Sequence, residues 1–512
     1  MKKLQQWWGA ATLSAVLTIS ASAQDPISTY SQTIQMSDLE KHLRYIASDE
    51  LEGRDTGSEG AKKAAEYIAK HFETLGLKPI VPSSQGPSYY QPFTLYKKGW
   101  KMAYVQVGNH KKTFFQDFYP NGLVNVPTAK DLPIAFIGHG LPGTYANQDV
   151  KGKAVVFFEA DPKNSEEWTG NAGLKKKVEA AKEAGAVCFF EISASDAQSF
   201  KTKTAERKAI LNRYNRMVFD PKAEPETASP TFVVSQEMAA EMLGISPKKW
   251  ASWKENPQLK KAPAPIRIQI QRGDEEVKTM NVLGFMEGTD KKDEVIVLTA
   301  HYDHVGVDAK GEIYNGADDD GSGTCAILEL AEAFAKAKAA GNGPRRSLLF
   351  MTVTGEEKGL LGSQYYTDVQ PIIPLSQTVC NFNIDMIGRV DKAHEKDPNY
   401  VYIIGSDKLS SELHAISEEA NSKSVNFVLD YTFNDPKDPN RFYYRSDHYN
   451  FAKNKIPVAF YFTGVHEDYH RPGDDVEKIM FPKYEKIVRL VFYTAWEVAN
   501  RDERIKVDSN KP

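Results

Sequence analysis

The chain has 512 residues, with 64 Lys and Arg against 68 Asp and Glu and a formal net charge of −4. Because a single hydrophobic core stops growing at roughly 250–300 residues, at least two domains are expected. A hydrophobic content of 41% and a charged content of 26% are typical of a globular protein. The slightly acidic balance gives no electrostatic reason to expect nucleic acid as a partner.

Residues 1–23 have the composition of an export signal. Lys2 and Lys3 precede an apolar run at 7–19, and Ala-Ser-Ala at 21–23 supplies a small-residue cleavage pattern. An uncleaved membrane anchor is disfavoured, because the run is shorter than the roughly 20 residues that span a bilayer. We therefore expect cleavage before Gln24, a periplasmic or secreted location, and no membrane anchor in the mature chain.

The next region begins with two amphipathic helices predicted within residues 36–77, followed by a strand-like stretch at 89–126. A compact unit is then predicted at 127–243. Its segment 171–186 resembles part of the protease-associated domain, a small insert carried by many exported hydrolases. Residues 244–270 are rich in Lys and Pro and are interpreted as a return linker.

Within the predicted unit, an apolar strand at 154–158, a helix at 173–184 and a strand at 186–192 form a crossover pattern. From residue 280 onward, strands and helices alternate, which predicts an α/β sheet flanked by helices. The predicted strands there are 295–299, 347–353, 379–384 and 456–463, and the predicted helices are 324–340 and 359–369.

Each of these four strands runs into a segment that carries a potential metal ligand, namely AHYDH at 300–304, TGEE at 354–357, Asp385 and GVHEDYH at 464–470. Ligands bind beyond the carboxyl ends of strands in open α/β sheets. The loop GADDDGSG at 316–323 adds three adjacent carboxylates, whose mutual repulsion a cation would relieve. Any one of these residues alone is better explained as a helix cap or a solvated side chain. Their coincidence at strand ends favours a metal site.

Two His and three carboxylates suit a pair of zinc ions that share one carboxylate and activate a water. A further carboxylate must carry a proton to the leaving amine, and Glu356, beside the ligand Glu357, is the candidate. Asp303 lies two residues after His301 in an extended segment. It is a candidate for fixing the ligating tautomer of that imidazole.

Five motifs resemble the co-catalytic di-zinc exopeptidases, the family of secreted bacterial leucine-type aminopeptidases and glutamate carboxypeptidases. The motifs are HYD at 301–303, GADDDGSG at 316–323, GEEKGLLGS at 355–363, NIDM at 383–386 and YHRP at 469–472. The segment ASDELEGR at 47–54 also resembles the start of this family. The resemblance implies a three-layer α/β/α zinc-peptidase domain with a mostly parallel mixed sheet. This discontinuous domain would span 24–126 and 244–512, with the protease-associated insert at 127–243.

The resemblance further implies that Asp319 bridges two zinc ions, with His301 and Asp385 on one ion and Glu357 and His470 on the other. A zinc-bound hydroxide would attack the peptide carbonyl, with Glu356 as general base and acid. The family also places a tyrosine near the substrate oxyanion, shortly before a Ser-Asp motif. Tyr443 fits that position, and Tyr444 fits it equally well.

The expected activity is that of an aminopeptidase acting on peptides with a free N-terminus. A carboxypeptidase of the same fold is an alternative. Such an enzyme binds the C-terminal carboxylate of its substrate through arginines, and four arginines lie near the motifs. The arginines near the motifs are Arg389, Arg441, Arg445 and Arg471. A partner-binding ectodomain and a one-zinc glutaminyl-cyclase-like transferase are weaker alternatives. The oligomeric state and the side-chain preference are not predicted.

The sequence HEDYH at 466–470 matches the HExxH motif of zincin metalloproteases, which requires a helix. Here it follows a strand and Gly464, and Pro472 comes two residues later, so no helix is expected. His466 is instead interpreted as a loop histidine that makes hydrogen bonds.

Overall fold

The computed structural model describes residues 25–159, 168–213, 216–221 and 224–510. The expected export signal at 1–23 lies outside these ranges. The chain divides into two compact units, one formed by residues up to Gln91 and from Met280 onward, the other by Pro92–Thr279. The second unit is wider than the predicted insert at 127–243. Its limits fall inside two long strands, where no loop-like sequence marks a boundary.

The helices of the described residues are α1 (Pro26–Ser31), α2 (Met36–Ile46), α3 (Glu59–Thr74), α4 (Gly170–Glu183), α5 (Ala197–Arg213), α6 (Gln236–Met242), α7 (Pro247–Glu255), α8 (Gly323–Ala339), α9 (Leu361–Gln364), α10 (Ser411–Lys423), α11 (His448–Ala452) and α12 (Phe481–Asn500). Helix α7 lies in the stretch that was interpreted as a return linker. Its Lys residues face solvent and its Trp250 is buried, which a composition-based reading misses.

The strands are β1 (Tyr90–Val107), β2 (His110–Thr113), β3 (Phe118–Pro120), β4 (Val126–Leu132), β5 (Ile134–Phe136), β6 (Ala154–Phe158), β7 (Cys188–Ile192), β8 (Met217–Val218), β9 (Thr231–Val234), β10 (Ile266–Met286), β11 (Lys291–His301), β12 (Gly306–Val307), β13 (Ile313–Tyr314), β14 (Arg346–Val353), β15 (Thr378–Ile384), β16 (Tyr400–Ile404), β17 (Val428–Asp430) and β18 (Val458–Phe462).

In the first unit, the strand order is β17-β16-β18-β15-β11-β14, followed by the end of β10. Strands β18, β15, β11 and β14 are mutually parallel, and β16 pairs with β17 in parallel. The antiparallel pairs are β16 with β18 and β10 with β14. The predicted mixed, mostly parallel sheet is therefore confirmed.

The sheet of the first unit has an apolar core on each face. Along β11, Ile296 and Leu298 pack into a cluster with helices α2, α3, α8 and α12, whereas Val295 and Val297 pack into a separate cluster on the other face. Both faces are covered because successive side chains of a strand point in opposite directions. Buried parallel strands therefore read as continuous apolar runs, and the carboxyl ends of β11, β14, β15 and β18 meet at one edge.

The second unit contains a five-stranded sheet in the order β3-β9-β7-β6-β5. Strands β5, β6, β7 and β9 are parallel, and helix α4 connects β6 to β7 as the crossover pattern predicted. Across the described ranges, no helix combines the length and the apolar character needed to cross a bilayer.

Candidate metal centre

The carboxyl edge of the first unit's sheet brings together all five predicted ligands. His301 ends β11, Asp385 follows β15, and Glu357 lies four residues after β14. His470 lies in the loop after β18, and Asp319 lies in the turn Ala317–Ser322 that precedes α8. Five residues separated by up to 169 positions in the sequence thus converge because parallel strands end at the same edge.

Asp319 lies between two groups of candidate ligands, called half-sites here: His301 with Asp385 on one side, and His470 with Glu357 on the other. Its Oδ1 is 3.4 Å from Nε2 of His301, and its Oδ2 is 3.1 Å from Nε2 of His470. On the first side, Oδ2 of Asp385 is 3.7 Å from the same His301 nitrogen. On the second side, Oε2 of Glu357 is 3.0 Å from Nε2 of His470. One carboxylate therefore offers one oxygen to each side.

His304 also belongs to this centre, although no role is predicted for it from the sequence. Its Nδ1 is 2.9 Å from Oε1 of Glu357 and 3.8 Å from Oδ2 of Asp319, and its side chain is fully buried. Donor atoms of His304, Asp319 and Glu357 lie within 4.8 Å of one another, as do those of His301, Glu356 and Asp385. The only sequence signal was its position three residues after His301.

The donor set fits divalent cations. Oδ2 of Asp319, Oε1 of Glu357 and Nε2 of His470 are buried without a well-aligned hydrogen-bond partner. Burial raises the pKa of the Glu356 carboxyl well above its ordinary value, and the neighbouring Glu357 adds to this effect. Burial acts to lower the pKa of His470, but Asp319 and Glu357 raise it to about 10. These shifts reflect several carboxylates crowded into a buried site, an arrangement whose charge a divalent cation would neutralise.

The three adjacent aspartates have three different environments. Asp320 is fully buried and accepts hydrogen bonds from the amides of His301 (3.1 Å), Gly323 (2.8 Å) and Met386 (3.2 Å). Asp318 accepts from the amide of Gly388 at 2.6 Å. Of the three, only Asp319 faces the two half-sites, because the carboxylates of Asp318 and Asp320 accept hydrogen bonds from backbone amides.

Further carboxylates and hydroxyls hold the ligands in place. Asp474 accepts from the amide of Asp319 at 3.0 Å and from that of Asp318 at 3.1 Å. The hydroxyl of Ser446 donates to Oδ2 of Asp385 at 2.7 Å. Such outer contacts orient metal ligands and tune their affinity.

Asp303 differs from its predicted role in one respect. Nδ1 of His301 lies 3.0 Å from the backbone carbonyl oxygen of Asp303 but 3.8 Å from its carboxylate. The carboxylate instead accepts from the hydroxyl of Thr56 at 2.7 Å and from the amide of Glu356 at 3.3 Å. The backbone of Asp303 is thus the nearer partner of the His301 ring, and the Asp303 side chain contacts the segment that carries Glu356.

Arg54, in the N-terminal motif, is fully buried behind the centre. Its guanidinium donates to four backbone carbonyls, those of Tyr302 (2.7 Å), Ile46 (2.5 Å), Asn315 (2.6 Å) and Gly316 (3.0 Å). Arg54 thereby connects the segment after β11 to the loop that leads into Asp319.

The two tyrosines predicted near the oxyanion lie in the turn that precedes the Ser-Asp motif. The pocket at the centre is lined by Asp319, Glu356, Asp385, Met386, Phe442, Arg445, Ser446, Phe460, Phe462, Val465 and Tyr469. Neither Tyr443 nor Tyr444 belongs to this lining. Tyr443 packs instead against His448, with Lys408 4.9 Å from its ring centroid. Tyr469 lines the pocket with its ring 3.9 Å from that of His470. Tyr443 therefore stays a prediction, and Tyr469 is a second candidate from the loop after β18.

The HEDYH segment is not helical, as expected, and forms turns. Nε2 of His466 lies 3.3 Å from Oδ2 of Asp318, so His466 supports the loop rather than binding with His470 to one metal ion. Glu467 is exposed and pairs with Arg389 at 3.0 Å. The zincin geometry is therefore absent from this segment.

Comparison with known proteins is consistent with this geometry. Residues 281–495 match the model of Peptidase family M28. Aminopeptidase YwaD of Bacillus subtilis (strain 168) is 28% identical over 236 residues, covering 44% of this chain and 46% of that protein. A probable zinc metalloprotease of Pyricularia oryzae is 27% identical over 273 residues, covering 45% of this chain and 52% of that protein.

The chain thus spans about half the length of these curated relatives. Among solved structures, an aminopeptidase from Aneurinibacillus sp. strain AM-1 aligns with 95% of this chain and 100% of its own. That alignment has 18% sequence identity and a TM-score of 0.49.

Proposed function

We propose, from the premise that residues 281–495 belong to peptidase family M28, that this protein is a zinc aminopeptidase acting on peptides with a free N-terminus. One observation supports the assignment most strongly: Asp319 directs one oxygen toward His301 and the other toward His470. Two metal half-sites that share a carboxylate suit hydrolysis assisted by two ions. The relatives' names, aminopeptidase and zinc metalloprotease, agree with it.

In this proposal His301, Asp385 and Asp319 would hold one zinc ion, and His470, Glu357 and Asp319 would hold a second. His304 contacts Oε1 of Glu357, whereas His470 contacts Oε2, so His304 orients the carboxylate toward its half-site. Bound zinc would lower the pKa of an attacking water and polarise the scissile carbonyl.

Glu356 takes the proton of the attacking water and passes it to the leaving amine. Its Oε2 lies 3.9 Å from Nε2 of His301, and its backbone amide is held by Asp303. Because burial raises the pKa of Glu356, its carboxyl holds a proton more readily than an exposed glutamate does. Tyr469, packed on His470 and lining the pocket, is assigned to donate a hydrogen bond to the developing oxyanion.

An aminopeptidase is favoured over a carboxypeptidase because the pocket lacks an arginine cluster. Of the four arginines near the motifs, only Arg445 lines it. Arg389 is paired with Glu467 at 3.0 Å and with Asp468 at 2.7 Å. Glu356 and Asp385 line the pocket with oxygen atoms that can accept hydrogen bonds from a substrate amino group.

The test compares wild type with Glu356→Gln and, as a control, Glu467→Gln, the exposed glutamate of the HEDYH segment. Wild type should hydrolyse leucyl p-nitroanilide and spare its N-acetylated form. Glu356→Gln should lower kcat by a factor of about 10²–10⁴. Mass spectrometry should show that this variant still binds about two zinc ions per chain. Glu467→Gln should retain activity. Full activity in Glu356→Gln, or loss only in Glu467→Gln, would contradict the proposal.

Two finer points belong to the same proposal. Residues 1–23 are proposed to direct export, so the protein recovered from the periplasm or medium should begin at Gln24.

The unit Pro92–Thr279 is proposed to contain the protease-associated insert. Limited proteolysis should then release a stable fragment from this range, and progressive degradation without such a fragment would contradict an independent domain.

A further inference from the structure

Arg445 occupies a distinct position at the candidate site. It follows the short turn Phe442–Tyr444 and lines the same pocket as Glu356 and Asp385. Arg445 is the only basic residue in that lining, which is otherwise acidic, hydroxylic or apolar. The metal ligands do not require it, since it contacts none of them within ion-pair distance.

The side chain of Arg445 is exposed and contacts two aromatic residues. It lies over the ring of Phe442, with its central carbon 5.0 Å from the ring centroid. One of its nitrogens donates to the hydroxyl of Tyr469 at 3.4 Å. Throughout the described residues, no carboxylate lies within 4.0 Å of it, in contrast to Arg389, which has two such partners.

The surroundings of Arg445 indicate what it can bind. A guanidinium stacked on an aromatic ring keeps a planar fork of donors that matches a carboxylate. The wall beside it is formed by Phe442, Phe460 and Phe462, which can pack against a short methylene stem. A fixed positive charge there also disfavours substrates with Lys or Arg at this position.

We propose that Arg445 is a specificity-determining residue that binds a carboxylate of the peptide substrate. Two sources share this chemistry: an acidic side chain at the cleaved residue, and the C-terminal carboxylate of a di- or tripeptide. The inference rests on the proposed aminopeptidase function and deepens it. It predicts that isosteric pairs differing only in this negative charge are distinguished by the protein.

The test uses zinc-loaded full-length protein, as wild type, Arg445→Gln, Arg445→Lys and the control Arg441→Gln. Arg441 lies over Tyr444, outside the pocket lining. Calorimetry measures binding of L-glutamate against L-glutamine for the side-chain source, and of glycylglycine against its amide for the C-terminal source. The kcat/KM ratios of glutamyl over glutaminyl p-nitroanilide, and of Leu-Gly-Gly over its amide, are measured in parallel.

In wild type, at least one pair should favour the carboxylate by roughly ten-fold or more. That ratio should fall toward one in Arg445→Gln, recover partly in Arg445→Lys, and stay unchanged in Arg441→Gln. Equal binding of both members of both pairs, or a wild-type ratio retained in Arg445→Gln, would overturn the inference. A binding preference without any hydrolysis would refute the proposed function while supporting the role of Arg445.

Discussion

Replacement of Arg54 by Met tests whether this buried guanidinium organises the metal centre. Arg54 is fully buried and donates to the carbonyls of Tyr302, Ile46, Asn315 and Gly316 at 2.5–3.0 Å. The preceding Gly53 has a positive φ of 64°, and a Cβ there would lie 2.4 Å from the carbonyl oxygen of Tyr314. The turn is therefore tightly constrained, and Met has no donor to replace those of Arg54.

The expected loss of stability follows from these contacts. Leaving a buried acceptor unpaired costs about 1–3 kcal/mol. The carbonyl of Gly316 keeps a second donor, the amide of Gly321 at 3.1 Å, so three acceptors carry most of the loss. Relief of the arginine's own desolvation offsets part of it, and we expect a net loss of about 3–5 kcal/mol. This corresponds to a Tm lower by roughly 5–10 °C for a unit of this size.

The same variant should bind zinc about 10–100-fold more weakly, because the segment carrying His301 and the loop carrying Asp319 lose their shared anchor. Tm is measured by calorimetry, and zinc affinity by competition with a fluorescent chelator at a temperature where the variant is folded. Arg44→Met is the matched control, since Arg44 is exposed and forms surface ion pairs with Glu40 and Glu477. A Tm within 1 °C of that control and an unchanged zinc affinity would refute this role of Arg54.

Three further predictions concern single side chains. Burial and the nearby Glu332 raise the pKa of Glu329 to about 8, from 4.5. The folded chain then keeps a proton that the unfolded chain loses above pH 4.5, so stability should fall between pH 4.5 and 8. Glu329→Gln should lack this component in a Tm–pH series, and parallel curves would contradict it. Asp474→Asn should weaken zinc binding about ten-fold, because an amide accepts hydrogen bonds from the backbone of Asp318 and Asp319 less strongly than a carboxylate does. Competition with a chelator measures this affinity, and an unchanged value would argue against a supporting role of Asp474. Tyr469→Phe should lower kcat about 10²-fold with zinc retained, whereas Tyr443→Phe should stay within about two-fold of wild type; the reverse order would favour Tyr443 over Tyr469.

The sheet and the convergence of the five ligands were predictable from the sequence, because each depends on a local pattern. Apolar runs mark β11, β14, β15 and β18, and parallel strands of one sheet end at a common edge. His304 carried a weaker signal, since a histidine just after a strand has no periodic or spacing rule that assigns its direction. Its burial against Glu357 exists only in the folded chain.

Two features were not predictable because no local pattern marks them: the limits of the second unit, and the presence of Tyr469 in the pocket lining. Boundaries inside the continuous strands β1 and β10 leave no turn residues to mark them. For the tyrosine, spacing from the Ser-Asp motif fixes a distance along the chain, whereas access to the pocket depends on which face of the turn Phe442–Tyr444 is inward. Tyr443 is on the packed face, and Tyr469 reaches the pocket from another loop.

The carboxylates around Asp319 have different roles from Asp319 itself, so side-chain motifs describe only part of this centre. Asp318, Asp320 and Asp474 have carboxylates like that of Asp319, yet each accepts hydrogen bonds from backbone amides. Nδ1 of His301 likewise contacts a backbone carbonyl rather than a side chain. Because a carboxylate that accepts from several amides is fixed in position, these contacts hold the loops around Asp319, the one carboxylate of the run that faces both proposed metal sites. In the proposed centre the acidic run therefore supplies one ligand, Asp319, and the carboxylates that support it, so a count of its charges overstates the number of proposed metal-binding groups.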